Sequence, residues 1–252
     1  MAQYDNVAEQ YEQWIVPKFR PVAELLVDLA APREGQHVLD VAAGTGGLSR
    51  ILLPRIGPTG RLVVSDISGP MLDVAARVLG SPDRTQVEFV PADLDSLPFT
   101  DAAFDLAIGQ FTPAQDNPTA LAELLRVLRP GGRLALAFWG PSYTELDLLD
   151  RARARAGLES PGNAPLEAVA VLVAATGFTD VRGRIAKLVV RHDSKSAYLR
   201  YRTAFGRPPG VEDAVWDRYW SAIETEVNEL PDTDDGAVEL TWSVALLAAR
   251  RP

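Results

Sequence analysis

Val38-Leu-Asp-Val-Ala-Ala-Gly-Thr-Gly-Gly47 is the stretch from which the fold is read. A short apolar run broken by one acid, Asp40, leads straight into glycines at 44, 46 and 47. An apolar run of this length, bounded by turn residues, is the mark of a buried strand. Glycine lets the backbone turn sharply and lets another group come close. A helix is expected from Gly46 towards Leu53, and the first turn of a helix carries N–H groups with no partner of their own. A strand delivering its C-terminal end into such a loop can hold a ligand, or it can be a tight strand–helix turn and nothing more. The dinucleotide fingerprint G-x-G-x-x-G/A is not met, because its last position here is Ser49.

Outward from this stretch the pattern repeats. RLVVSD (61–66), QVEFVPA (86–92), AFDLAIG (103–109) and LALAFW (134–139) read as strands, and PMLDVAARVLG (70–80) as a helix with Pro70 near its first position. PTALAELLRVL (118–128) sets Leu121, Leu124, Leu125 and Leu128 on one helical face, and RPGG is expected to end that helix. Strands alternating with single helices require crossovers, hence a parallel sheet covered on both faces. The second half is less regular. Helices are expected near 143–157 and 166–176, and long strands at DVRGRIAKLVV (180–190) and AVELTWSVALLAA (237–249), which can pair antiparallel with residues 194–230 packed over them. One domain is expected, with N-terminal lid helices about 1–30, a ligand-binding core about 36–140, and substrate-cap segments about 141–165 and 194–235.

The bulk properties narrow the function. The 252 residues hold 34 acidic against 25 basic side chains, a net charge of −9 that repels phosphate backbones and anionic lipid. Neither nucleic acid nor membrane is therefore an expected partner. No apolar run approaches the roughly 18 residues of a membrane span, and the opening MAQYDNVAEQYEQW lacks a basic region followed by an apolar one. A cytoplasmic protein is expected. The absence of cysteine excludes thiolate chemistry, and two histidines, His37 and His192, are too few for a histidine-rich metal site.

Three acids in or beside the strands favour an adenosine-containing ligand over strand-end caps alone. Asp66 closes the second strand about 20 residues after the glycine loop, where a carboxylate can accept from both hydroxyls of a ribose. Asp40, inside the first strand, can attract an amino-acid ammonium and would repel a pyrophosphate. Asp93, at the edge of the third strand, can accept from an adenine amine with Leu94 packed on the ring; the neighbouring Asp95 reads as a solvated turn acid.

HVLDVAAGTGGLS (37–49), VVSDIS (63–68), VPADLDSLPF (90–99), AFDLAIGQF (103–111) and LLRVLRPGGRLALAFW (124–139), in this order, resemble the motifs of class I S-adenosylmethionine-dependent methyltransferases. They are similar to the branch holding ubiquinone- and menaquinone-type methyltransferases and many natural-product tailoring enzymes. A looser match takes in Tyr4 to Tyr11, GFTDV (177–181) and ALLAARR (245–251). The resemblance implies a Rossmann-like α/β fold with a mostly parallel seven-stranded sheet, S-adenosylmethionine as cofactor with S-adenosylhomocysteine as product, and a small-molecule acceptor. It implies that Asp40 and the loop Ala42, Ala43, Gly44, Thr45 and Gly46 hold the methionine end. Asp66 would take the ribose, with Ile67 and Met71 alongside the adenosine. Ala92, Asp93 and Leu94 would hold the adenine, Gln110 would lie near the sulfonium, and Tyr11 would close the site. Two departures stand out: Ala42 replaces a common glycine, and FTPAQDNP (111–118) is shorter and richer in proline than usual.

No catalytic base is identified. His37 reads as structural, and His192, Gln115, Tyr4 and Tyr143 carry no decisive signal. The aromatics Tyr198, Tyr201, Phe205, Trp216, Tyr219 and Trp220 either pack a helical cap or line an apolar acceptor pocket, and a hydrophobic or natural-product-like acceptor is expected. The alternatives are a protein of this fold that binds the cofactor for a non-methylating reaction such as cyclisation, a nicotinamide-dependent oxidoreductase, and a non-catalytic interaction protein.

Overall fold

The computed structural model describes residues 4–80, 86–160, 162–207, 211–231 and 233–252. Residues 1–3 of the expected lid and residues 161, 208–210 and 232 of the expected cap segments lie outside the described residues.

Seven strands form one sheet in the order β3-β2-β1-β4-β5-β7-β6. The first five are β1 His37–Val41, β2 Arg61–Asp66, β3 Val87–Pro91, β4 Phe104–Gln110 and β5 Leu128–Trp139, all mutually parallel. β7 Val238–Arg250 inserts antiparallel between β5 and β6 Thr179–His192. The two long strands are thus antiparallel neighbours despite the chain between them, as their patterning allows. Chain order reverses beside β1, which places β1 and β4 at the switch point where open α/β sheets bind ligands.

Crossover helices α3 Ser49–Ile56, α4 Gly69–Leu79 and α5 Pro118–Val127 follow β1, β2 and β4. Each of the latter two starts on a side-chain cap: Ser68 accepts from the Met71 amide, and Asn117 from those of Thr119 and Ala120. Leu121, Leu124 and Leu128 of the expected apolar stripe are fully buried, while Leu125 is half-buried. One expectation is corrected. RPGG does not separate helix from strand; Leu128 already pairs with Phe104, and residues 129–132 form an irregularity inside β5 before pairing resumes at Leu106 and Arg133. The excursion is held by mutual backbone bonds, Gly131 N–H to Arg251 O and Arg251 N–H to Gly132 O.

On one face of the sheet, Val38, Leu62, Val64, Leu106 and Ile108 pack under the N-terminal segment and the cap helices. That segment comprises the short α1 Ala8–Gln10, a π-turn Tyr11–Ile15 and α2 Val16–Ala30. The cap comprises α6 Thr144–Ala156, α8 Lys195–Thr203 and α9 Asp213–Asn228. On the opposite face Leu39, Val41, Leu134 and Leu136 pack with α5 and α7 Leu166–Thr176. Strand alternation sends Asp40 to the side of Val38, beneath the N-terminal segment and away from water.

Candidate cofactor and acceptor site

A cavity of about 550 Å³ opens at the C-terminal edge of the sheet. Tyr11, Ala42, Gly44, Asp66, Ile67, Ala92, Asp93, Leu94 and Gln110 line it, so nine of the fourteen positions named from the sequence converge there. Asp40 and Ala43 line an adjoining chamber of about 40 Å³, which shares Tyr11, Phe19, Ala42 and Gln110 with the larger space. Thr45, Gly46 and Met71 line neither. The Thr45 hydroxyl donates to Glu12 at 2.6 Å, and Met71 is buried beside Ala8 and Val74. Gly46 adopts φ +81°, and a Cβ there would lie 2.5 Å from the Leu79 side chain. These three residues shape the loop from behind.

Both strand-end acids are unusual carboxylates. Asp66 Oδ2 accepts the Gly44 amide at 2.8 Å and Oδ1 accepts the Ser68 amide at 2.9 Å. Burial raises its pKa, partly opposed by these backbone donors and reinforced by nearby Asp5. Asp40 is wholly buried; its Oδ2 accepts the Ser49 hydroxyl at 2.6 Å, while Oδ1 has no hydrogen-bond partner. Burial pushes its pKa up to about 7, Ser49 opposes the rise, and the charge of Asp66 adds to it. A buried carboxylate oxygen left without a donor is costly, and Asp40 is among the residues that line the small chamber. Ser49, the residue that breaks the dinucleotide fingerprint, is the donor that holds Asp40 in place.

Ala42 has φ 49°, a left-handed conformation that explains why glycine suits this position. The loop bends there regardless, because the Ala43 amide is tied to Ser65 O at 3.0 Å. Over the loop lies the N-terminal segment. The Tyr11 ring lies over Gly44, and a Cβ on that glycine would come 3.7 Å from it. Three acids seat the segment: Glu12 accepts from Thr45 and Arg50, Ser68 donates to Asp5 at 2.6 Å, and Arg77 pairs with Glu9 at 2.6 Å. Gln110 does not reach into open space, since its Nε2 donates to Phe19 O at 3.0 Å and so pins α2 to β4. Asp93 is exposed and its Oδ1 accepts the Asp95 amide at 3.0 Å, so it caps its own turn while bordering the cavity. Asp95 also lines the cavity and accepts from Asn117 at 2.6 Å.

Much of the cavity wall is aromatic, with Tyr4, Phe19, Phe111, Trp139 and Phe205 in it. Phe111 and Trp139 stack at 4.2 Å with 19° between planes, and Tyr143 continues the stack on Trp139 at 5.2 Å. Phe111 holds φ 53°, an outlier for a bulky residue that aims its ring onto Trp139. Of the cap aromatics, Phe205 alone is in this wall among the described residues. Trp216 and Trp220 line a separate open groove with Arg207. Tyr198, Tyr201 and Tyr219 are buried packing. Phe111 and Trp139 escaped the sequence reading, although each immediately follows or ends a strand at the edge where ligands bind.

The histidines stand apart from the cavity. His37 starts β1, where its amide donates to Asp105. His192 is buried 5.1 Å from the Tyr198 ring and 4.9 Å from that of Tyr201, and burial, helped by Lys18 and Arg202, lowers its pKa to about 4. Gln115 is a half-buried member of a short 3₁₀ turn, Pro113–Asp116, with its Oε1 buried and unpartnered.

The chain is similar to known proteins at two levels. A ubiquinone/menaquinone biosynthesis C-methyltransferase UbiE from Ectopseudomonas mendocina is 43% identical over 111 residues, covering 43% of each chain. The chain thus spans less than half the length of the curated relative that it matches. The solved structure of YcgJ from Bacillus subtilis has a TM-score of 0.65 at 20% identity, covering 91% of this chain and 97% of that one. The cyclase SpnF has a TM-score of 0.58 at 21% identity, over 92% and 80%. At these identities the structural likeness shows the fold alone. Residues 4–152, more than half of the chain, match the model of one family, and the protein therefore belongs to the ubiE/COQ5 methyltransferase family.

Proposed function

We propose that the protein transfers the methyl group of S-adenosylmethionine to a flat, largely apolar small molecule. One observation carries this reading: a single cavity is lined both by a strand-end acid with the glycine loop and by a set of aromatic rings, two of them stacked. The residues fit the cofactor. Asp40 offers an unpartnered oxygen to an ammonium, Asp66 faces the place of a ribose, and Ile67 stands 63% exposed at the cavity with its apolar surface uncovered. An aromatic wall suits a ring-shaped acceptor. The UbiE relatives are named for ubiquinone and menaquinone biosynthesis, which favours a ring carbon of a quinone precursor as the accepting atom.

The bound sulfonium would supply an already activated methyl group. What the chain contributes is alignment, which in well-oriented systems lowers a barrier by about 7–11 kcal/mol. Gln110 holds α2 against β4, Tyr11 covers Gly44, and the Phe111–Trp139 stack gives the acceptor a flat surface beside them. Tyr4 and Tyr11 are poor bases, because burial raises both phenol pKa values.

With neither tyrosine a ready base, a second reading is cofactor-assisted cyclisation, and the cyclase SpnF shares the fold. Calorimetric titration with S-adenosylmethionine and with NADH, repeated on Asp66→Ala, tests the cofactor. Binding of the first alone, weakened by the substitution, is expected. Release of S-adenosylhomocysteine in a complete reaction then separates methyl transfer from cyclisation.

A further inference from the structure

Behind the aromatic wall lies a buried carboxylate that does not line the cavity. Glu145, in the first turn of α6, is 2% exposed. Its Oε1 accepts the Tyr198 hydroxyl at 3.1 Å and pairs with Arg202 at 3.4 Å, both from α8, and its Oε2 accepts the indole N–H of Trp242 from β7. Two of these partners touch rings of the cavity wall. Trp242 meets Trp139 edge-on at 5.2 Å and Phe19 at 5.5 Å, and the Arg202 guanidinium lies over the Phe205 ring at 4.7 Å. We propose that Glu145 is a positioning residue for the acceptor: through Trp242 and Arg202 it fixes the rings of Phe19, Trp139 and Phe205, and so sets where a flat acceptor can lie. This rests on the acceptor reading above and assigns to the cap helices a role beyond covering the sheet.

Holding the fold together does not call for a carboxylate here. A buried ion pair commonly contributes no more stability than apolar side chains of the same volume. The start of α6 is also docked on β7 without it, by a reciprocal pair of bonds: Thr144 N–H donates to Thr241 Oγ1 at 3.1 Å, and Thr241 N–H to Thr144 Oγ1 at 2.7 Å. What apolar packing does not supply is direction. An indole tied to a carboxylate cannot turn without leaving a donor and an acceptor unpaired in the core, and a guanidinium held by its charge partner keeps its place over a phenyl ring. One carboxylate thereby orients rings from α2, β5 and the segment after α8. Glu226 offers a contrast. It is equally buried and joins α9 to α6 by accepting from Arg151 and Arg155, a link that involves none of the wall residues.

The probe is 1,4-naphthoquinone, a flat bicyclic molecule, and the chain has no cysteine to form a thiol adduct with it. Calorimetry on the full chain with S-adenosylhomocysteine bound is compared with Glu145→Gln, a near isostere. The substitution is expected to weaken naphthoquinone about tenfold, to leave S-adenosylhomocysteine within about twofold, and to change the near-ultraviolet circular dichroism of the tryptophans. Arg202→Lys keeps the charge but not the planar guanidinium over Phe205; it should weaken naphthoquinone about threefold, and it carries the test if Glu145→Gln does not fold. Glu226→Gln should lower the urea midpoint and leave naphthoquinone within about twofold. Unchanged naphthoquinone affinity in both wall variants, equal loss of both ligands, or a matching loss in Glu226→Gln overturns the positioning role and leaves the cofactor reading intact. Unaltered protein that binds S-adenosylhomocysteine but not naphthoquinone overturns the flat-acceptor reading, and the positioning role with it.

Discussion

Replacing Asp40 with asparagine should make the ligand-free protein more stable at alkaline pH while impairing its site. Asp40 is fully buried and its pKa is raised from an ordinary 3.8 to about 7, first by burial. An acid that holds its proton more tightly when folded favours the folded state at low pH and withdraws that support as pH rises from its unfolded value to its folded one. The difference between 3.8 and about 7 amounts to about 4 kcal/mol across that window. About 2–3 kcal/mol of it falls between pH 5 and pH 8. Asparagine cannot ionise. It retains an acceptor for the Ser49 hydroxyl but buries an amide without a partner, at a cost of about 1–3 kcal/mol. The two proteins should therefore be nearly equal in stability at pH 5, and the variant about 1–3 kcal/mol more stable at pH 8. Urea unfolding at several pH values measures the gap directly, and thermal melts should show it opening by about 5–10 °C. Comparing the two curves cancels the titrating groups that do not feel the charge of Asp40; Asp66 does feel it. Parallel curves for the two proteins would refute the reasoning, because they would mean that Asp40 titrates normally or does not titrate in this range. The same variant should bind S-adenosylhomocysteine more weakly at pH 8, since the ammonium loses its charged partner.

Other expectations follow from single contacts. Gly46→Ala combines a left-handed backbone with a Cβ 2.5 Å from Leu79, and should cost about 2–4 kcal/mol in urea unfolding; an unchanged midpoint would contradict the packing. Trp139→Ala removes the centre of the Phe111–Trp139–Tyr143 stack. Steady-state kinetics with a quinone-type acceptor should show KM rising about tenfold while cofactor affinity holds, and a loss confined to cofactor binding would place the acceptor elsewhere. Glu12→Gln removes the charge that receives Thr45 and Arg50, so amide hydrogen exchange across residues 4–15 should quicken severalfold. Exchange indistinguishable from the parent would show that the segment is held by its apolar contacts alone.

Much of this protein was legible along the chain because its signals are local. Strand alternation, helix periodicity and caps depend on residues a few positions apart, and they carried the order of elements, the glycine loop and the acids at strand ends. The antiparallel pairing of β6 and β7 was allowed by their lengths and patterning, and the tertiary structure settled it. Other features depend on what the chain brings together across long separations. Nothing adjacent in sequence indicates that Asp40 has one satisfied oxygen and one orphan, because Ser49 and the burying helix α2 come from elsewhere. Thr45 and Gly46 sit within the motif yet face Glu12 and Leu79, not the cavity, since a loop turning through left-handed φ values sends neighbouring residues to opposite sides. The aromatic wall is the clearest case. The cap aromatics clustered in sequence at 198–220, but the wall was assembled from Tyr4, Phe19, Phe111, Trp139 and Phe205, residues spread from the N-terminal segment to the cap. Local pattern determines which face of an element is apolar; only packing decides which of those faces close on each other and which are left open to a ligand.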